Sequence, residues 1–170
     1  MLALIRPLFT ILGIVVLVLI VLAALALVRR GRPAPSPYER AKALFSPAER
    51  HFLVTLESAL GSTYRIFGKV RVADLASVKK GLTPRARQAA LNRVAYKHFD
   101  FLLCSKQSCE PACAIELNDS SHNSKGTRRR DAFIEEVCRS ISLPMVTFPV
   151  RQSYEVSEIR ERVGQVLQEH

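Results

Sequence analysis

The chain has 170 residues, a formal net charge of +10, 48% hydrophobic residues and four cysteines. That length leaves room for one modest domain plus appendages and no more. There is no internal repeat, and much of the apolar content sits in the first 28 residues, outside any folded core.

From Pro7 to Val28 no side chain is charged. The run exceeds the roughly 20 apolar residues that carry a helix across a bilayer. A helix packed in a core is rarely apolar on every face for so long. Residues 1–28 are therefore expected to form one transmembrane helix. Only Arg6 and the amino terminus precede the apolar run, whereas Arg29, Arg30, Arg32, Arg40 and Lys42 follow it. That asymmetry predicts a single-pass protein with its C-terminal domain in the cytoplasm. A cleaved signal peptide is the rival reading, because Ala24–Ala26 has a small-x-small pattern. Against it, the run is longer than the roughly 7–15 residues of a signal's apolar region, and arginines follow at once.

Residues 29–46, "RRGRPAPSPYERAKALFS", read as a Pro/Arg-rich linker, stiffened by Pro33, Pro35 and Pro37. The folded domain is expected over 47–170. Ser46 is a candidate N-cap, Pro47 takes the first helical position, and Glu49 completes a capping box. Phe52, Leu53, Leu56 and Leu60 follow at helical spacing, and Gly61 ends the helix. "YRIFGKVRV" alternates like a strand. Pro84 opens a helix through Val94. "KHFDFLLC" and "ACAIELND" read as consecutive strands. "SSHNSKGT" is loop-like. "RRRDAFIEEVCRSISL" is an amphipathic helix, "PMVTFPV" a short strand and "EVSEIRERVGQVLQEH" a closing helix. The order α, β, (α), β, β, α, β, α predicts an α/β sandwich around a small mixed sheet.

Residues 47–170 carry nineteen Lys and Arg against fourteen Asp and Glu, and within them residues 65–97 carry nine cations against Asp74 alone. Such a patch suits nucleic acid or an anionic lipid surface, and an ordinary solvated face explains it equally well. Cys104, Cys109, Cys113 and Cys138 match no standard zinc spacing. Disulfides are not expected in a cytoplasmic domain. Cys104 and Cys138 lie in apolar patterns and read as core residues.

The two apolar strands each contain one acid, Asp100 and Glu116. Burying an acid costs several kcal/mol unless something pairs with it (about, by context). If the strands are neighbours, the two carboxylates meet at one end of the sheet and call for a proton or a cation between them. Mg²⁺ suits such a pair, with the Leu117 carbonyl as a further oxygen. A metal there would acidify water and neutralise a phosphate oxygen. His122, on the following loop, would serve as general base or phosphate ligand. Lys125, Arg128, Arg129 and Arg130 would face a phosphodiester backbone. Each has a plain structural alternative. Glu49 caps its helix, Asp100 and Glu116 act as paired structural acids, Asp119 starts a turn, His122 is an exposed loop residue, and the arginines form a solvated helix start.

"SPAERHFLVTLESAL", "KHFDFLL", "AIELNDSSH" and "RRRDAFIEEVC" together resemble an uncharacterised bacterial domain family often fused to an N-terminal membrane helix. That family is similar to the very-short-patch-repair endonucleases of the PD-(D/E)XK nuclease superfamily, over about residues 46–165. The resemblance implies a restriction-endonuclease-like α/β/α sandwich at the bacterial inner membrane, acting on nucleic acid with a divalent metal, Mg²⁺. It implies metal ligation by Glu49, Asp100 and Glu116, a histidine role for His122, and a helix-opening pair in Arg130 and Asp131. Asn118 departs from the pattern, because it occupies the lysine position of the motif. Asn can neither carry a positive charge nor titrate near neutrality. Asp119 or Lys125 would have to compensate. Three functions therefore compete: a metal-dependent nuclease, an inactive relative that binds nucleic acid or protein, and a membrane-surface module.

Overall fold

The computed structural model describes residues 2–30, 36–118 and 125–169, with side chains for 11–27, 36–118 and 129–169. The chain divides into two units, Met1–Lys42 and Ala43–His170.

The first unit is helix α1, Leu2–Arg30. It runs two residues past the end expected for the apolar segment. Its described side chains, 11–27, are apolar and exposed. Among the described residues no helix is long and apolar enough to cross a membrane. The stretch with described side chains is shorter than the roughly 20 residues needed. The expected span over residues 1–28 is thus not supported by the described structure and rests on the sequence alone.

The second unit is mixed α/β. Its elements are α2 Pro47–Leu60, β1 Tyr64–Arg71, α3 Val72–Leu75, α4 Pro84–Val94, β2 His98–Ser105, β3 Pro111–Asn118, α5 Lys125–Ser140, β4 Met145–Pro149 and α6 Val156–Gln168. The four strands form one sheet in the order β1-β2-β3-β4. β1–β2 and β2–β3 are antiparallel, while β3–β4 is parallel. The parallel pair needs a crossover, which α5 supplies.

The start of α2 shows why the first helix lies where it does. Ser46 Oγ accepts from the Glu49 N–H at 3.3 Å, and Glu49 Oε2 accepts from the Ser46 N–H at 2.9 Å. The capping box is complete, as the sequence predicts. Short α3 was not expected, since four residues carry no readable helical period. Helix α5 begins at Lys125, three residues ahead of Arg128, because a polar stretch lacks apolar periodicity yet can still be helical.

Alternation along the strands builds two apolar layers. Phe101, Leu103, Cys113, Ile115, Val146 and Phe148 face α2 and α6. Leu102, Cys104 and Ala114 face Ile134 and Cys138 of α5. Phe52 anchors the first layer with its ring 5.7 Å from Phe101, 5.1 Å from Phe148 and 4.8 Å from Tyr154. Burying it contributes roughly 1.5–3 kcal/mol. Strand β2 is covered on both faces, which is why "FDFLLC" reads as a continuous apolar run and why the acid inside it is buried.

Phe45 belongs to this unit and not to a free linker. Its ring stacks on Phe101 at 5.5 Å and lies directly over Gly68 of β1. A Cβ on Gly68 would clash with the Cζ–Cε1 edge of that ring. Gly68→Ala is therefore expected to cost ~1–3 kcal/mol through displaced packing. A urea midpoint equal to wild type would show that Phe45 swings away freely.

Candidate functional site

Asp100 and Glu116 meet across the β2–β3 ladder. Phe101 pairs with Ile115, so one step further Asp100 stands opposite Glu116, both on the face shared with α5. The strand alternation that builds the core thereby places two carboxylates side by side.

Asp100 is 8% exposed, the one buried charged residue among those described. Its Oδ2 accepts from the Leu117 N–H at 2.9 Å, and its Oδ1 lies 3.4 Å from Lys69 Nζ. Burial pushes its carboxyl above the ordinary range. The Leu117 N–H and the Lys69 charge oppose that shift, while Glu49 adds to it. Glu49 reaches the same place from the first turn of α2 and ion-pairs with Lys69. Burial pushes Glu49 up, but the Lys69 and Ser46 hydrogen bonds outweigh it and hold the carboxyl low. Burial likewise acts to lower Lys69, and Glu49 with Asp100 more than reverses it. Glu49 thus caps its helix and joins the site at once.

Glu116 is different. Its Oε1 is buried and has no hydrogen-bond partner among the described residues. Burial first, then the neighbouring Asp100 charge, push its carboxyl up to about 8, against a partial offset from Arg130. An orphaned, buried carboxylate oxygen calls for a proton or a cation.

These groups line one cavity of about 520 Å³, together with His98, Asn118, Arg130, Asp131 and Glu135. Of the residues expected from sequence, Glu49, Asp100, Glu116, Leu117 and Arg130 come together there. Arg129 is exposed and does not line the cavity. Asp119 and His122 lie outside the described residues. Lys125 and Arg128 have described backbone only.

Lys69 is the residue that sequence reasoning missed. Its φ is 57°, a left-handed value that costs roughly 1–2 kcal/mol for a non-glycine residue. The ladder skips it: Gly68 pairs with Phe101 and Val70 with Phe99, with no partner pair between. The register runs unbroken across this position, which sets Lys69 opposite Asp100. Strain of this kind gathers at functional sites. The only hint in the sequence is a lysine following a glycine inside an alternating strand.

The sequence profile of a family described as "Protein of unknown function (DUF2726)" covers residues 41–167. The chain belongs to the DUF2726 family. Every described member of the cavity lies within that span, so the site is a feature of the DUF2726 domain. No curated protein matches the chain, and no solved structure matches it. The family match carries no link to the very-short-patch-repair endonucleases.

The donor set can be tested against a divalent cation. Among the described residues, no three His, Cys, Asp or Glu side chains form a group that could hold an ion. Lys69 stands as the cation between Glu49 and Asp100. The pair Asp100 and Glu116, with its orphaned oxygen, still offers the one or two carboxylates with which Mg²⁺ is ordinarily bound beside waters and phosphate oxygens.

Proposed function

We propose that the DUF2726 domain of this chain is a nuclease-like module that binds and hydrolyses nucleic acid phosphodiesters, on a restriction-endonuclease-like scaffold anchored to the bacterial inner membrane by α1. The observation that carries the reading is the meeting of Lys69, Asp100 and Glu116 in one cavity, with a buried Glu116 oxygen left without a partner. The scaffold reading is supported by a four-stranded mixed sheet with helices on both faces. The anchor reading is supported by the uncharged run from Pro7 to Val28. The flanking arginines favour a cytoplasmic domain.

In this reading Mg²⁺ would be held by Asp100, Glu116 and the Leu117 carbonyl, and when bound it supplies neutralisation of phosphate charge and an acidified water. Lys69 takes the part of the lysine that Asn118 cannot play. Its ammonium is held by Glu49 at the edge of the cavity, where it can meet charge developing on a phosphate oxygen. The Leu117 N–H fixes the Asp100 carboxylate. Burial and the Asp100 charge push the Glu116 carboxyl up to about 8, so near neutrality it would readily give up its proton and ligate the cation as a carboxylate. Arg130 faces the cavity and would bind an adjacent phosphate. His122 and Asp119 keep their sequence-based roles as candidates on the neighbouring loop.

A second reading, an inactive relative that binds nucleic acid or protein, draws support from one observation. Lys69 already neutralises Glu49 and Asp100 without any added ion. The deciding measurement is cleavage of single-stranded, mismatched and duplex DNA and RNA by the full chain in detergent, with Mg²⁺ or Mn²⁺. Asp100→Asn is expected to lower the rate at least about 100-fold. No cleavage of any substrate, together with no heat of metal binding, would sink the enzyme and leave the inactive relative.

A further inference from the structure

Helix α4 contributes little to the core. Val94 is its one buried residue, while Ala90 and Leu91 are half-buried and the rest of the helix is exposed. What it carries is charge. Lys79, Lys80, Arg85, Arg87 and Arg93 are all exposed, and no acid lies between Asp74 and Asp100. Immediately after its C-terminal end stands Tyr96, 95% exposed. A tyrosine ring held fully in water gains nothing for the fold, and burial against a partner would recover its apolar area.

The strip leads to the cavity by two routes. His98, two residues beyond Tyr96, lines the cavity at the start of β2. Arg93 sits 4.0 Å over the Phe133 ring, and Lys97 Nζ lies 5.3 Å from the same ring. Phe133 is one turn along α5 from Arg130, which also lines the cavity. The Arg93 and Lys97 cations beside an unsupported aromatic ring match how single strands are held, the cations tracking phosphates and the ring stacking a base. A flat anionic bilayer fits less well, because the same edge opens onto Asp100 and Glu116.

We propose that Arg93 and Lys97, at the C-terminal end of α4, and Tyr96 form a landing platform for single-stranded nucleic acid, with one base stacked on Tyr96 and the following phosphates led past His98 into the cavity. This rests on the phosphodiester reading above and names its substrate class.

The test uses the full chain in neutral phosphatidylcholine nanodiscs and a fluorescein-labelled oligo-dT 15-mer, read by anisotropy between 50 and 200 mM NaCl, conditions that span about a decade-scale change in backbone-driven affinity. Tyr96→Ala is expected to weaken binding roughly 5- to 150-fold, with Tyr96→Phe retaining it. Arg93→Ala with Lys97→Ala is expected to flatten the salt slope by about 1.4. Affinity unchanged in Tyr96→Ala overturns the platform even if cleavage persists. Stacking at Tyr96 without cleavage by any metal supports the platform and overturns the nuclease instead. Trypsin protection of the Lys79–Arg93 sites by phosphatidylglycerol discs, and not by the oligonucleotide, overturns it in favour of a lipid-facing helix.

Discussion

Lys69→Met is expected to abolish cleavage and to destabilise the domain by ~2 kcal/mol or more at pH 7. The Lys69 ammonium is the shared partner of Glu49 and Asp100, and the three side chains are 22%, 14% and 11% exposed. Removing it leaves two carboxylates pressed together with little water to screen them. Solvent still reaches the group, so the loss falls below that of a fully buried pair. The pH dependence follows from the shifts. Glu49 is held below its ordinary value, so its share of the stability is present above the unfolded carboxyl range and is lost as pH falls through the lowered folded value. Lys69 is held above its ordinary value, so its share is present below the unfolded lysine range and is lost as pH rises through the raised folded value. The difference between wild type and Lys69→Met should therefore be widest near neutrality and narrow in acid. Urea unfolding at pH 7 and at pH 3 measures both ends. Equal stabilities at pH 7 would mean that the ion pairs contribute nothing.

Glu116→Gln is expected to do the opposite to the fold, stabilising it while removing function. Burial and the Asp100 charge raise the Glu116 carboxyl from an ordinary 4.5 to about 8. Below the ordinary value both folded and unfolded chains hold the proton, and stability does not change on this account. Between about 4.5 and about 8 the unfolded chain loses its proton while the folded chain keeps it, so stability falls as pH rises. Above that range the slope disappears. Glutamine carries no such titration, and at pH 8.5 the variant should be more stable than wild type by several kcal/mol, on the order of 5 at most. Mg²⁺ gives a second readout. A cation that favours the ionised carboxylate should raise the Tm of wild type at pH 7.5 and leave Glu116→Gln unmoved. A pH-stability profile shared by the two proteins would show that Glu116 is solvated.

The contrast between these residues explains how much of the site was legible beforehand. Asp100 and Glu116 stand out because an acid within an apolar strand violates the pattern around it. Glu49 stands out because the capping box has a sequence signature, and that signature marks the helix start correctly. Lys69 does not stand out. A lysine in an alternating strand is ordinary, and nothing in the local pattern announces its left-handed backbone at φ 57°. Glu135 and His98 reach the cavity in the same way, through where α5 and β2 end up. The vacancy at Asn118 looked like a missing cation when viewed along the chain. Across the sheet, Lys69 of β1 reaches Glu49 and Asp100 in the same cavity.

Taken alone, the sequence determined the uncharged N-terminal run, the α2 cap, the four strands and the helices α4, α5 and α6, because each is written in local periodicity and capping chemistry. It also paired Asp100 with Glu116 by placing both acids on consecutive strands. Only the tertiary structure decided the strand order, the parallel β3–β4 pair, the packing of Phe45 over Gly68, and the arrival of Lys69 between Glu49 and Asp100. Those features depend on contacts between residues distant in the chain, and no local period encodes them.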